Sequence, residues 1–547
     1  MTAPRTRGTA VRWPAPTAIT LCSATLGEDD ICEPPLGPLY IAAALEEAGV
    51  AVDFRDFQLD REAHGLSGDR LRAYLADHAP IVAISCFVDM LPAVVDATRQ
   101  LHAERPDTVF VLGGPGPTAS AARILEEYPW ITAVVRGEGE ETTQEWVKVL
   151  RDGREAPVPG MVSRGQDGLL DGGDRPRNRS IDNLPLPAYH LLDWSHYSHA
   201  RVITTRGCSY RCSFCDVTAL WDNRSIYRSL DATIAELQTI TEVYGKSAIS
   251  VVDDTFVLNR NRVRNFCGLL MEQNLDLQWG CFGRINLMTE DLIAAMSAAG
   301  CRAIFYGIDS GSQAVLDRTV KRVRAEDVLP VLELSARYFD KIEASFIWGY
   351  PFETLDDFKR TLDLAGQASM LAPRVNVQLH MLSPLPLSPI YREFPGALRS
   401  PEPEDRPWLL LPALLLDDRA AALRAIVASA PDIYPGFYSF PTPAKEAKRS
   451  LLEQAMGALH RTVGSTLFDR SVAALLKQDD PDLERALLAA QDGTCDRIGT
   501  GLALGLFRRT RRRASAAPPP FTGQRGPAMV RERPETKSAP AWPSAGP

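Results

Sequence analysis

Two long blocks of the chain alternate short apolar runs with stretches of helical periodicity, and few folds accept that rhythm. Repeated strand and helix periods build parallel sheets with helices packed on their faces. In residues 17–151 the strands fall near 17–23, 50–55, 80–86, 108–113 and 132–136, each followed by a helix. This predicts an α/β fold with an N-terminal doubly wound parallel sheet. From 201 the alternation resumes, with strands near 201–205, 247–252, 277–281, 301–308, 341–348 and 375–382. Helices near 230–244, 260–273, 289–299, 325–338 and 354–369 separate them. Six such units predict a partial TIM-type (β/α)6 barrel. The intervening Gly-, Pro- and Asp-rich residues read as a linker able to form a small hairpin. The expected divisions are thus a sheet domain over 15–151, a linker over 152–200 and a barrel over 201–395. A helical, Leu/Ala-rich C-terminal region over 396–507 and a disordered basic tail over 508–547 follow.

Composition narrows the class. The 547 residues are 45% hydrophobic and 24% charged, enough for several well-buried cores. The formal charge is -9, yet residues 508–547 hold nine Lys or Arg against two acidic residues, so the remainder carries -9 - 7 = -16. A body so acidic argues against a nucleic-acid partner. No run approaches ~18 apolar residues, so no membrane partner is expected. The ten cysteines are too sparse for a disulfide scaffold, and no signal-type apolar stretch follows the first residues. A reducing cytoplasm is the expected location.

Three of those cysteines stand together as Cys208-Ser209-Tyr210-Arg211-Cys212-Ser213-Phe214-Cys215, spaced C-x3-C-x2-C. They follow the first strand of the second block, at the end where barrel active sites lie. A closed zinc site or an ordinary ferredoxin cluster takes four protein ligands, so a set of three leaves an iron open to another group. A fragment of a zinc site is the competing reading of the triplet alone.

Further strings follow in order: Val251-Val252-Asp253-Asp254-Thr255-Phe256, Arg284, Gly307-Ile308-Asp309-Ser310-Gly311-Ser312, and Phe346-Ile347-Trp348-Gly349-Tyr350-Pro351-Phe352-Glu353-Thr354. Upstream stand Pro34-Pro35-Leu36-Gly37-Pro38-Leu39-Tyr40, Leu112-Gly113-Gly114 and Gly137-Glu138-Gly139-Glu140-Glu141-Thr142. With them the chain, over roughly residues 15–395, resembles the cobalamin-binding branch of the radical S-adenosylmethionine (SAM) enzymes.

The resemblance implies three cofactors. Cys208, Cys212 and Cys215 would hold a [4Fe-4S] cluster, and SAM would chelate the fourth iron through its amino and carboxylate groups. An electron from a reductant such as flavodoxin or ferredoxin would cleave SAM to a 5'-deoxyadenosyl radical. For SAM the implied contacts are Phe214, with Asp253 and Asp254 toward the ammonium, Arg284 and Ser310 toward the carboxylate or ribose, and the backbone at Gly349 toward adenine. Helix caps and turns are the ordinary roles of such residues. For cobalamin they are Leu36, Gly37, Ser85, Phe87, Gly113, Gly114, Gly137 and Glu138. The D-x-H-x-x-G signature that supplies a lower axial histidine to cobalt is absent, and no histidine lies between Cys22 and Gly37. The Ser85-Cys86-Phe87 loop could cover that face instead, or Phe87 could pack in the core; His64 reads as a surface residue.

The implied activity is methylation of a carbon, or of phosphorus, in a small-molecule substrate of specialised, antibiotic-type metabolism. A non-methylating rearrangement or oxidative cyclisation keeps the same cofactors. A methylthiotransferase would use Cys22, Cys32 and Cys86 for a second cluster. The aromatics Tyr434, Phe437, Tyr438 and Phe440 read as core more readily than as substrate contacts.

Overall fold

The computed structural model describes residues 17–26, 32–60, 66–394, 396, 398–400, 402, 415 and 420–456. His64 and the basic tail lie outside them. The first sheet has seven strands in the order β2-β1-β3-β4-β5-β6-β7. They are β1 (Ala18–Ala24), β2 (Ala51–Asp56), β3 (Ile81–Cys86), β4 (Val109–Gly113), β5 (Ile131–Val135), β6 (Met161–Gly165) and β7 (Gly168–Asp171). β1 to β5 pair in parallel. All five residues of β5 are buried, as expected of a strand covered by helices on both faces. The order 2-1-3-4-5 reverses between β1 and β3, and ligands of such sheets sit beyond the carboxyl ends at that reversal. β6 and β7 form an antiparallel hairpin on the sheet edge, so this part of the expected linker extends the first sheet.

The second sheet has six parallel strands in the order β15-β14-β13-β12-β11-β8. They are β8 (Ala200–Val202), β11 (Ala248–Val251), β12 (Gln278–Gly283), β13 (Cys301–Asp309), β14 (Lys341–Trp348) and β15 (Val375–Met381). Between β8 and β11 lies a two-stranded ribbon of β9 (Thr205–Arg206) and β10 (Ile226–Tyr227). Local chemistry sets the helix ends. Ser229 caps the helix Leu230–Tyr244, which stops at Gly245 with φ +66°. A Thr354–Asp357 capping box starts the helix Leu355–Leu371.

The two sheet units share apolar surface. Leu36, Leu39 and Tyr40, from the helix Leu36–Glu47, belong to the same core as Val202, Ile234 and Leu237. The C-terminal segment binds both units. The helix Ala421–Ser429 packs on the helix Leu91–Glu104, and Tyr434 and Phe437 enter the first unit's core, with Tyr434 Oη 2.9 Å from Tyr128 Oη. Phe440 then joins Tyr350, Leu382 and Ile390 on the barrel. Tyr434, Phe437 and Phe440 are therefore core residues, and Tyr438 is half-buried. Among the described residues no helix is long and apolar enough to cross a membrane.

Candidate functional site

The cysteine loop leaves β9 through Gly207, whose φ is +90°. A Cβ there would fall 2.3 Å from Arg224 O and 2.7 Å from Trp221 Cβ, so only glycine lets the loop turn back on the ribbon. Asp253 secures the turn. It is fully buried; its Oδ1 accepts from the amides of Thr204 (2.6 Å) and Thr205 (3.0 Å), and its Oδ2 from Thr204 Oγ1 (2.6 Å). Enclosed and occupied in this way, the carboxylate does not face a SAM ammonium, which corrects the expectation for Asp253. Asp254 is exposed and accepts the Gly207 amide at 2.9 Å, so it alone of the acidic pair presents a carboxylate.

The thiols stand around the loop. Cys208 Sγ lies 3.6 Å from Thr255 Oγ1, and Cys212 Sγ 3.8 Å from Arg284 Nη1. Among the described residues no three His, Cys, Asp or Glu side chains converge on a point that would hold a single ion. Thiolates that each take a different iron surround a body rather than a point. Arg284 is 5% exposed and lies over the Tyr210 ring at 3.6 Å. Its Nε and Nη2 have no hydrogen-bond partner among the described residues. A guanidinium so desolvated, with donors unspent, calls for an anion, and the carboxylate of SAM fits that need. Tyr210, itself held by Asn286 Nδ2 at 3.1 Å, went unnoticed in the sequence; its place between two cysteines was the available signal.

Three other expected SAM contacts are engaged internally. Ser310 is fully buried, 3.0 Å from Thr361 Oγ1, and accepts the Ser312 amide, so its hydroxyl is not free for a ribose. The Gly349 amide donates to Glu353 Oε2 at 2.9 Å. Phe214 packs edge-on against Tyr350, with ring centres 6.2 Å apart, and Lys321 Nζ lies 5.7 Å from its ring.

At the carboxyl edge of the first sheet, the turns after β3 and β4 nest together. A Cβ on Gly114 would meet Cys86 O at 2.8 Å, and one on Gly116 would meet Phe87 O at 2.6 Å. By contrast, a Cβ on Gly37 or Gly137 would meet nothing within 4 Å. Both positions are exposed and leave bare backbone at this end of the first unit. Gly113 and Ser85 are half-buried, and Phe87 is 57% exposed, which removes the core role considered for it. Leu36 points instead into the core shared with the barrel. Cys22 and Cys86 are buried in the sheet, where desolvation pushes both thiols up.

Glu138 has a different partner from the one expected. Its Oε1 accepts from Arg206 Nη1 at 2.9 Å, while Arg206 Nη2 donates to Glu140 Oε1 at 2.6 Å. Arg206 ends β9, and the two glutamates follow β5. Nothing in the sequence pattern paired these residues, which lie more than sixty positions apart.

Residues 24–147 match the B12 binding domain family, and residues 202–365 match the radical SAM superfamily. An uncharacterized methyltransferase of Pyrococcus horikoshii is 28% identical over 340 residues, 61% of this chain and 73% of that protein. The anaerobic magnesium-protoporphyrin IX monomethyl ester cyclase of Rubrivivax gelatinosus is 28% identical over 351 residues, 61% of this chain but only 62% of its own length. The fold resembles that of TsrM from Kitasatospora setae, a radical S-adenosylmethionine methyltransferase with cobalamin and a [4Fe-4S] cluster bound. That likeness has a TM-score of 0.59 at 17% identity and covers 91% of this chain and all of TsrM.

Proposed function

The chain belongs to the radical SAM superfamily and joins a B12 binding domain to it, and from this premise we propose that it is a cobalamin-dependent radical SAM methyltransferase acting on a small molecule. One observation carries the reading. Arg206, two residues before Cys208, is bonded to the glycine-rich segment that follows β5, so the cysteine loop and the carboxyl edge of the first sheet are joined at one seam, which supports cofactors held side by side there. When bound, the cluster and SAM would supply the radical and cobalamin the methyl group.

The chain's own residues bind and shield. Cys208, Cys212 and Cys215 would hold the cluster, Arg284 and Asp254 the polar ends of SAM, and Gly37, Gly137 and Phe87 the cobalamin ring. Asp253 and Ser310 brace the loops. The atom methylated is carbon, with phosphorus a variant. A flavodoxin or ferredoxin of the cytoplasm would supply electrons, and antibiotic-type metabolism is the proposed setting.

Cyclisation is the second reading, favoured by the similarity to the Rubrivivax cyclase. The test is anaerobic reconstitution, then incubation with methyl-labelled SAM, a reductant and candidate substrates. Methyl transfer predicts 5'-deoxyadenosine, S-adenosylhomocysteine and label in the product; an unlabelled cyclised product would favour the second reading. Iron should count about four per chain, and about eight would revive a second cluster.

A further inference from the structure

We propose that Arg206 is a positioning residue that fixes the spacing and tilt between the cysteine loop and the cobalamin-binding edge of the first sheet; this rests on the cofactor assignment above. Its guanidinium is 5% exposed and reaches out of the barrel to two carboxylates of the other sheet, Glu138 (10% exposed) and Glu140 (8% exposed). It also lies over the Tyr40 ring at 5.1 Å. Glu138 sits between Gly137 and Gly139, and Tyr40 lies one turn after Gly37. The partners of Arg206 therefore come from the two segments whose glycines, Gly37 and Gly137, leave bare backbone, while Arg206 itself abuts the Gly207 turn into Cys208.

The linker adds a third arm. The Asn178 amide donates to Glu138 Oε2 at 3.0 Å, and Arg177 Nη1 donates to Trp221 O (2.9 Å) and Arg224 O (2.8 Å), on the far side of the cysteine loop. Segments from both sheets and the linker are thus tied at one buried guanidinium.

Cohesion alone does not call for such a knot. Leu36, Leu39 and Tyr40 already share an apolar core with the barrel, and buried ion pairs are often no more stabilising than apolar packing. What a planar two-pronged donor adds is direction, since each prong holds a different carboxylate.

The decisive variant is Arg206→Lys, which keeps the charge and loses the fork. Full-length wild type and variant would be loaded with cluster and cobalamin and matched for iron and cobalt content. The magnetic interaction between cob(II)alamin and the reduced cluster would then be measured by electron paramagnetic resonance. The expected result is a changed, broadened interaction in Arg206→Lys. SAM-dependent methylation of the bound cobalamin should fall about a hundredfold, the loss an error of about 1 Å in placement can cause. Formation of 5'-deoxyadenosine from SAM and reductant, which needs the cluster but not cobalamin, should stay near wild type. If Arg206→Lys fails to load, Glu140→Gln, which spares the Glu138 bond, carries the same readouts. Unchanged spin interaction and methylation in a loaded variant would overturn the proposal while leaving the cofactor assignment intact. A wild type that takes up no cobalamin would overturn both.

Discussion

A buried guanidinium with two unspent nitrogens is held at a cost until an anion arrives. Replacing Arg284 by Met should therefore raise the melting temperature of the cofactor-free protein and weaken SAM binding about tenfold or more, as expected for a lost hydrogen bond to a charged group. Calorimetry on the two states checks both signs, and a parallel loss of both would reduce Arg284 to a packing residue. A second residue predicts a pH effect. Asp56, at the end of β2, accepts from Tyr197 Oη at 2.7 Å and Gln58 Nε2 at 2.6 Å, and burial pushes its carboxyl from the usual 3.8 to about 6. The folded protein therefore binds the proton more tightly than the unfolded chain. Its contribution falls as pH climbs from about 4 to about 6 and is level above that. Asp56→Asn should remove this slope, worth on the order of 3 kcal/mol at about 1.4 kcal/mol per pH unit. Urea midpoints across that range are the measurement. At this scale the sequence was legible for residue type but not for orientation. Asp253 and Asp254 are adjacent and chemically alike, yet in the turn after β11 one is buried against the Thr204 and Thr205 amides and the other is exposed, holding only the Gly207 amide.

Among the elements, parallel strands such as β4 and β5 were legible because each is a short buried apolar run. β9 and β10 were not, since two residues carry no periodicity; their pairing depends on Gly207 and the backbone at Arg224. Gly207→Ala should displace that turn and cost about 2 kcal/mol or more, because the added methyl meets backbone in a left-handed conformation. The expected outcome is poor cluster retention with a nearly normal first sheet, read as iron content against far-UV circular dichroism. Normal iron loading in Gly207→Ala would show that the ribbon can yield. The hairpin of β6 and β7 was anticipated as a hairpin, but its attachment to β5 is a long-range pairing that no local signal encodes.

For the whole molecule, the described part of the C-terminal region, residues 420–456, was legible as helical and aromatic, but its path across both units was not, and residues 457–507 of that expectation lie outside the described residues. Lys448 shows how firmly it is seated. The buried ammonium donates to Glu353 O (2.7 Å), Glu353 Oε2 (2.9 Å) and Thr442 Oγ1 (2.7 Å), beneath the Gly349 turn. Lys448→Met would strand the Glu353 carboxylate and should cost about 3–5 kcal/mol, and adding Glu353→Leu should recover much of that. Denaturant midpoints of the single and double variants test this, and equal loss in both would mean that packing rather than charge dominates.

The same path has a consequence for biosynthesis. The hydrophobic cluster of the first sheet is completed by Tyr434 and Phe437, which leave the ribosome roughly 260 residues after β7, some 13 to 50 s later at typical rates of synthesis. During that interval the surface of the helix Leu91–Glu104 that receives the strap is uncovered. The first unit therefore keeps an uncovered apolar surface well after its sheet has emerged, and truncations that spare every cofactor ligand but remove Tyr434 and Phe437 should aggregate, as light scattering would show.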